Sequence, residues 1–265
     1  MASNFNARNA EAYDRLMGRW SQRLAPRFLA FAGTEPGERI IEMGCGTGSL
    51  TFAIPDGAAS VTAIDLSPIY VQAARARNTS PKITIEQGDG QALRFPGNSF
   101  DRALTMLVLQ FMPDPVAALR ELARVTRPDG TVAAAVWDTF GGMPAQRMLW
   151  DTAAALDPEA ARLRARAMTR PAAIPGGLAR AFAEAGLVEI RGTELQIRME
   201  FQNFEDYWEP FAAGEGSLGD YVAALGAEAL TRLRQNTRDA YLSGARDGPR
   251  SFASVAFACR AHVAA

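Results

Sequence analysis

The 265-residue chain has one histidine, two cysteines and almost no net charge, and each scarcity closes off a class of chemistry. A zinc centre needs several thiolate or imidazole ligands, which His262, Cys45 and Cys259 cannot supply, so no metal is expected. Cys45 sits in a glycine-rich loop and Cys259 in an apolar run, a pattern that builds no disulfide framework. Lys plus Arg total 28 against 29 Asp plus Glu, and the arginines are scattered. A nucleic-acid-binding face carries a basic excess, so no nucleic-acid partner is expected. No segment approaches the roughly twenty apolar residues of a membrane span. Residues 1–9 are polar and show no secretory signal. The expectation is a cytoplasmic protein without a membrane span.

What is present is a substantial core, since 48% of the residues are hydrophobic. Residues 10–31 read as a helix whose apolar face carries Tyr13, Leu16, Met17, Trp20 and Leu24. Short apolar segments at 39–43, 60–64, 100–109 and 131–137 read as strands, as does 82–87, which alternates in period two. Helical segments at 49–54, 67–78 and 114–125 alternate with them, and Pro128-Asp129-Gly130 reads as a turn. Ser67-Pro68 is an N-cap followed by proline at the first helical position. This alternation predicts a parallel sheet with helices on both faces. Downstream, 143–169, 177–185 and 203–242 read as helical, and 188–201 and 251–261 as strands. The two larger helical stretches read as insertions over the sheet's C-terminal edge.

The sharpest signal is Glu42-Met43-Gly44-Cys45-Gly46-Thr47-Gly48, between a strand and an expected helix. Glycines there allow a sharp turn and close approach of a ligand to the backbone, and a helix start presents free N–H groups. Glu42 would repel a pyrophosphate but suits an ammonium. Ser49 stands where a dinucleotide fingerprint has glycine, and no Gly-Lys-Ser/Thr follows. Asp65, ending the second strand, can accept from two ribose hydroxyls or cap the next helix; Ser67 is better placed for the cap. Asp89, with Gly90 and Gln91, can frame an adenine or form a plain turn.

In order and spacing, Glu42 to Gly48, Asp65-Leu66-Ser67, Gly88-Asp89-Gly90, Phe100-Asp101 and the Arg127 to Gly130 turn resemble the class I S-adenosylmethionine-dependent methyltransferases. They particularly resemble the small bacterial methyltransferase type 11 group, related to the ubiquinone-biosynthesis C-methyltransferases. The resemblance covers about residues 39–137. It implies an α/β, Rossmann-like, seven-stranded, mostly parallel sheet with an antiparallel last strand, supplied by 251–261, and a helical cap from insertions in the C-terminal half. The chain then divides into an N-terminal lid helix (1–33), a cofactor-binding core (36–138), cap insertions (139–172 and 202–248) and segments completing the sheet (173–201 and 249–262). The cofactor implied is S-adenosyl-L-methionine, released as S-adenosyl-L-homocysteine. Glu42, Gly44, Cys45 and Gly46 would surround its methionine part, Asp65 the ribose, and Leu66, Asp89, Gly90 and Gln91 the base, with Met106 approaching through its backbone.

The N-terminal helix resembles the same group over Tyr13 to Ser21. Tyr13, Met17 and Trp20, with Trp137, are candidates for the substrate pocket, although the same stripe would also serve as core. Aromatics expected under the cap (Trp150, Phe204, Tyr207, Trp208, Phe211, Tyr221 and Phe140) favour an apolar or aromatic small-molecule acceptor. Asp138, Asp206 and Glu209 are candidate polar anchors. The chain lacks the Asn/Asp-Pro-Pro-aromatic sequence of DNA and glutamine amino methyltransferases after the fourth strand. No catalytic residue is singled out, and His262 lies beyond the last strand. The rival readings are a catalytically silent cofactor binder of the same fold and an NAD-dependent oxidoreductase. Glu42 and Ser49 oppose the second.

Overall fold

The structure is a computed structural model that describes residues 8–265. Residues 1–7, on which part of the polar N-terminus and of the expected lid falls, lie outside the described residues. Strands β1 (Arg39–Met43), β2 (Ser60–Asp65), β3 (Ile83–Gln87), β4 (Phe100–Met106), β5 (Thr126–Trp137), β6 (Val188–Phe201) and β7 (Arg250–His262) form one sheet. Its order is β3-β2-β1-β4-β5-β7-β6. Neighbours among β1 to β5 pair in parallel, and β7 runs antiparallel to both β5 and β6. This is the fold class the sequence implied. Strand order reverses between β1 and β4, which pair directly, and a parallel sheet opens a crevice beyond its strand ends at such a point.

Burial on both faces explains why the inner strands read as apolar runs. Ile40 and Ile41 in β1, Ala103 and Leu104 in β4, and Val132 through Val136 in β5 are all buried. Proline-led helices start where their caps predict. Helix α3 (Pro68–Arg77) has Ser67 accepting from the Tyr70 N–H, and α4 (Pro115–Val125) has Asp114 accepting from the Ala117 N–H. The N-terminal helix comprises α1 (Ala10–Tyr13), a π-turn (Asp14–Gly18) and α2 (Arg19–Ala32), ending at Gly33 in the left-handed region.

Four local expectations are corrected. The segment 49–54 forms only a 3-10 turn (Thr51–Ala53), because Pro55 arrives before a full helical turn can follow and the Thr51 hydroxyl is committed to Glu42. Strand β4 stops at Met106 rather than 109. Leu107 adopts φ 66° and its N–H donates to Ala135 O at 2.7 Å, turning an apolar run out of the sheet. Pro128-Asp129-Gly130 is a bulge inside β5, with Asp129 at φ 59° and the pairing register slipping between Phe100 and Arg102. The stretch 143–169 is split into α5 (Pro144–Leu156) and α6 (Pro158–Met168) by Asp157, which caps α6.

Helix α7 (Gly177–Glu184) leads into β6. Helices α8 (Phe204–Ala212), α9 (Gly216–Ala223) and α10 (Ala227–Leu242) fill the connection from β6 to β7. Tyr207 is fully buried and donates to Ala145 O at 2.8 Å, which ties this second insertion to α5. Trp20 of α2 packs edge-on against Phe201 at 5.3 Å, with the Arg19 guanidinium over its ring at 4.3 Å. Among the described residues no helix is long and apolar enough to cross a membrane.

Candidate functional site

A cavity of about 440 Å³ opens at the C-terminal ends of β1, β2 and β4. The strands deliver Met43, Asp65 and Met106 to its wall, and the loops after them deliver Gly44, Gly46, Leu66, Asp89, Gly90 and Gln91. The volume lies within the range of small-molecule sites. Gly44 adopts φ 76°, and a Cβ there would lie 2.3 Å from Val108 Cγ2, so only glycine lets the loop pass beneath the segment after β4. At Gly46 a Cβ would meet nothing nearer than the Tyr13 ring at 3.9 Å. The bare backbone of Gly46 is therefore a cradle that a side chain would fill.

Asp65 organises this loop. One carboxylate oxygen accepts the Gly46 N–H and the other the Ser67 N–H, each at 2.8 Å. Burial raises its pKa, and these two bonds oppose the rise. A carboxylate has about four lone-pair positions, so each oxygen keeps capacity for a further donor. The capping and ligand-holding roles weighed for Asp65 are thus compatible, and Ser67 does the formal capping. Asp89 accepts the Gln91 N–H at 2.9 Å, making an Asx-type turn that also lines the cavity.

Glu42 and Cys45 do not line this cavity. Side chains alternate along β1, so when Met43 faces the opening Glu42 points the other way. Its carboxylate is fully buried and accepts the Thr51 hydroxyl at 2.6 Å. Burial lifts its pKa to about 8, opposed by that hydroxyl. The reach of Glu42 toward an ammonium, expected from sequence, is replaced by a brace beneath the loop. Cys45 is buried under the loop, and burial pushes its thiol up.

A second, smaller chamber of about 80 Å³ lies beside the first. Tyr13, Leu107 and Phe111 belong to both walls. Of the four candidate substrate residues, Tyr13, Met17 and Trp137 line it. Trp20 does not and serves as core against Phe201. Trp150 and Phe211 contribute from the cap aromatics, whereas Phe204, Tyr207 and Trp208 are buried among themselves and Phe140 is exposed. None of the candidate anchors reaches the chamber: Asp138 accepts from the Phe140 and Gly141 N–H groups, Asp206 pairs with Arg19, and Glu209 is exposed.

Several residues of these walls carried no local signal. Tyr70, one turn into α3, packs its ring 4.9 Å from Tyr13 and donates to Glu215 at 3.3 Å. Glu215 is buried and also accepts the Arg8 and Asn9 N–H groups, fixing the start of the N-terminal helix. Burial raises the Glu215 pKa, and it lifts Tyr13 to about 12. Asp14 accepts the Thr47 hydroxyl at 2.6 Å and pairs with Arg77, clamping the N-terminal helix to the glycine loop. Gln110 and Arg170 enter the smaller chamber. Among the described residues no cluster of His, Cys, Asp and Glu could hold a metal ion.

Residues 41–134 match the family model described as "Methyltransferase domain". An uncharacterised protein of Mycobacterium tuberculosis is 33% identical over 120 residues, 44% of this chain and 44% of that protein. A ubiquinone biosynthesis O-methyltransferase of Xanthomonas campestris is 31% identical over 147 residues, 49% of this chain and 61% of that enzyme. The matched stretch thus spans less than two thirds of either relative. Among solved structures, a Bacillus halodurans protein shares the fold at TM-score 0.58 and 17% identity, over 90% of this chain and 98% of that one.

Proposed function

We propose, from a chain whose residues 41–134 match a methyltransferase domain, that the whole protein is an S-adenosylmethionine-dependent methyltransferase acting on a small apolar or aromatic acceptor. In this reading 36–138 is the cofactor-binding core, and the insertions at 139–172 and 202–248 form a cap over the acceptor. The observation that carries it is the Asp65 carboxylate at the end of β2, held by the glycine loop with acceptor capacity left on both oxygens.

The donor and acceptor set fits the cofactor. Asp65 would take the ribose hydroxyls, as the end of a second strand does in related sheets. Gly44 and Gly46 would let the amino-acid part lie against bare backbone. Leu66, Asp89, Gly90 and Gln91 would frame the base, Asp89 accepting from its amine. Bound there, the cofactor would supply a methyl group already electrophilic on a sulfonium. The chain's own part is then to bind, orient and exclude water. Leu107 and Phe111, shared by the two cavities, form the boundary across which an acceptor would be aligned, and alignment of that kind accounts for much of an enzymatic rate. The apolar walls keep water from competing and do not oppose a step in which charge is dispersed.

Calorimetry tests the reading. S-adenosylhomocysteine is expected to bind the wild-type protein one-to-one, with NADH inert. Binding of NADH in place of S-adenosylhomocysteine would overturn it.

A further inference from the structure

The wall of the smaller chamber holds buried polar groups that pair with none of the described residues. Trp137 Nε1, Thr139 Oγ1 and Gln110 Oε1 are buried there with no hydrogen-bond partner among those residues. Trp137 and Gln110 are each at most 5% exposed, so solvent does not satisfy them. An unpaired buried polar group costs about 1–3 kcal/mol, and a wall that keeps two donors, Trp137 Nε1 and Thr139 Oγ1, suggests a ligand that accepts from them; Gln110 Oε1, an acceptor, does not take part.

The charge on the same wall gives the ligand's sign. Arg170 is half-buried, and its guanidinium lies 4.6 Å over the Phe111 ring. It has no ion pair among the described residues, and burial lowers its pKa. Glu215, the acid on this wall, is already bonded to the Arg8 and Asn9 N–H groups and the Tyr70 hydroxyl. Arg170 is the one cation lining the chamber among the described residues. Leu16, Met17, Trp150, Phe211 and Leu218 supply apolar wall, and Gln146, Gly216 and Ser217 complete it beside the residues shared with the larger cavity.

We propose that this chamber receives an acceptor with an apolar body and a single carboxylate. Arg170 would grip the carboxylate through its planar fork, and Trp137 Nε1 and Thr139 Oγ1 would donate to its oxygens. One guanidinium balances one negative charge, which favours a carboxylate over a phosphate dianion. The inference rests on the methyltransferase reading, since it takes the neighbouring cavity as the cofactor's.

The test uses the full chain with three aromatic probes: benzoate, benzamide and phenyl phosphate. S-adenosylhomocysteine binding is measured first; if it fails, the methyltransferase reading falls and this inference with it. On the S-adenosylhomocysteine-saturated protein, benzoate is expected to bind about tenfold or more tighter than benzamide, the worth of a charge-assisted bond. Arg170→Met should abolish that preference, and Arg170→Lys, which keeps the charge, should retain part of it. Equal affinity for acid and amide, failure of benzoate to bind, or a preference that survives in Arg170→Met would overturn the carboxylate assignment while leaving the cofactor reading intact. Tighter binding of phenyl phosphate than of benzoate would overturn it likewise.

Discussion

The two cavities are built from different materials. The larger is lined largely by strand ends and the loops that leave them, so its chemistry comes from backbone amides, glycines and two carboxylates, Asp65 and Asp89. The smaller is lined by side chains from the N-terminal helix, the segment after β4, and both insertions. A backbone-lined site is specified by a few positions that tolerate no change, and a side-chain-lined site by many that can vary. The first therefore depends on the geometry of a few loops, and the second on which side chains the packing brings together.

Substitutions can break or sharpen that contrast. The largest effect is expected at Asp65→Ala, where removal of charge-assisted bonds should weaken S-adenosylhomocysteine by about 2 kcal/mol or more, roughly 30-fold, as read by calorimetry. Unchanged affinity would mean that the larger cavity does not work through this carboxylate. Next is Gly44→Ala, which forces a Cβ into the left-handed region and against Val108. Chemical denaturation should show a loss of about 1–2 kcal/mol, with cofactor binding weakened in step. A side-chain-lined position such as Met17→Leu should cost less than this, since volume is conserved.

A smaller effect separates brace from ligand at Glu42. Burial raises its pKa from 4.5 to about 8, so between those values the folded state holds a proton that the unfolded state has released. Stability is then fullest below the unfolded value and falls as pH rises through that window. Glu42→Gln should flatten this fall in ligand-free thermal midpoints; Asp65 and Glu215, raised in the same direction by burial, keep part of it. Parallel profiles for the two proteins would show that the carboxylate does not titrate as its burial requires. The smallest effect is expected far from both cavities. Asp101 accepts from Arg39 and Arg127 beside the β5 bulge, and the Arg39 bonds hold its pKa at about 2. Asp101→Asn should cost about 1 kcal/mol or less, as partly exposed ion pairs do, and leave ligand binding alone.

The larger cavity was legible in the sequence for the same reason that it is backbone-lined. Gly44, Asp65 and Asp89 follow strands whose apolar runs and stop signals are local, and the Ser67-Pro68 cap fixes where the next helix starts. The placement of Glu42 was not legible, because its neighbours in sequence are the glycines, whereas its partner, Thr51, is set by strand alternation and a loop that folds back. Residues 49–54 have helical composition but too few positions before Pro55. Leu107 ends β4 with neither glycine nor proline, through a bond to Ala135 that no local pattern announces. The break at Asp157-Pro158 was readable, since it repeats the cap-then-proline signal of Ser67-Pro68. Arg170 was not: one arginine in an arginine-rich stretch becomes special only when the N-terminal helix, the β4 exit and the insertions close around it.

Tyr13, Leu107 and Phe111 stand in both walls, and this common partition has a thermodynamic consequence. Whatever occupies one side and shifts these three side chains alters the space on the other, and linkage requires the influence to be equal in both directions. If filling one compartment raises the affinity of its neighbour by some factor, filling the neighbour first raises the original by the same factor. Replacing Phe111 should therefore change not only two dissociation constants but also the factor that joins them.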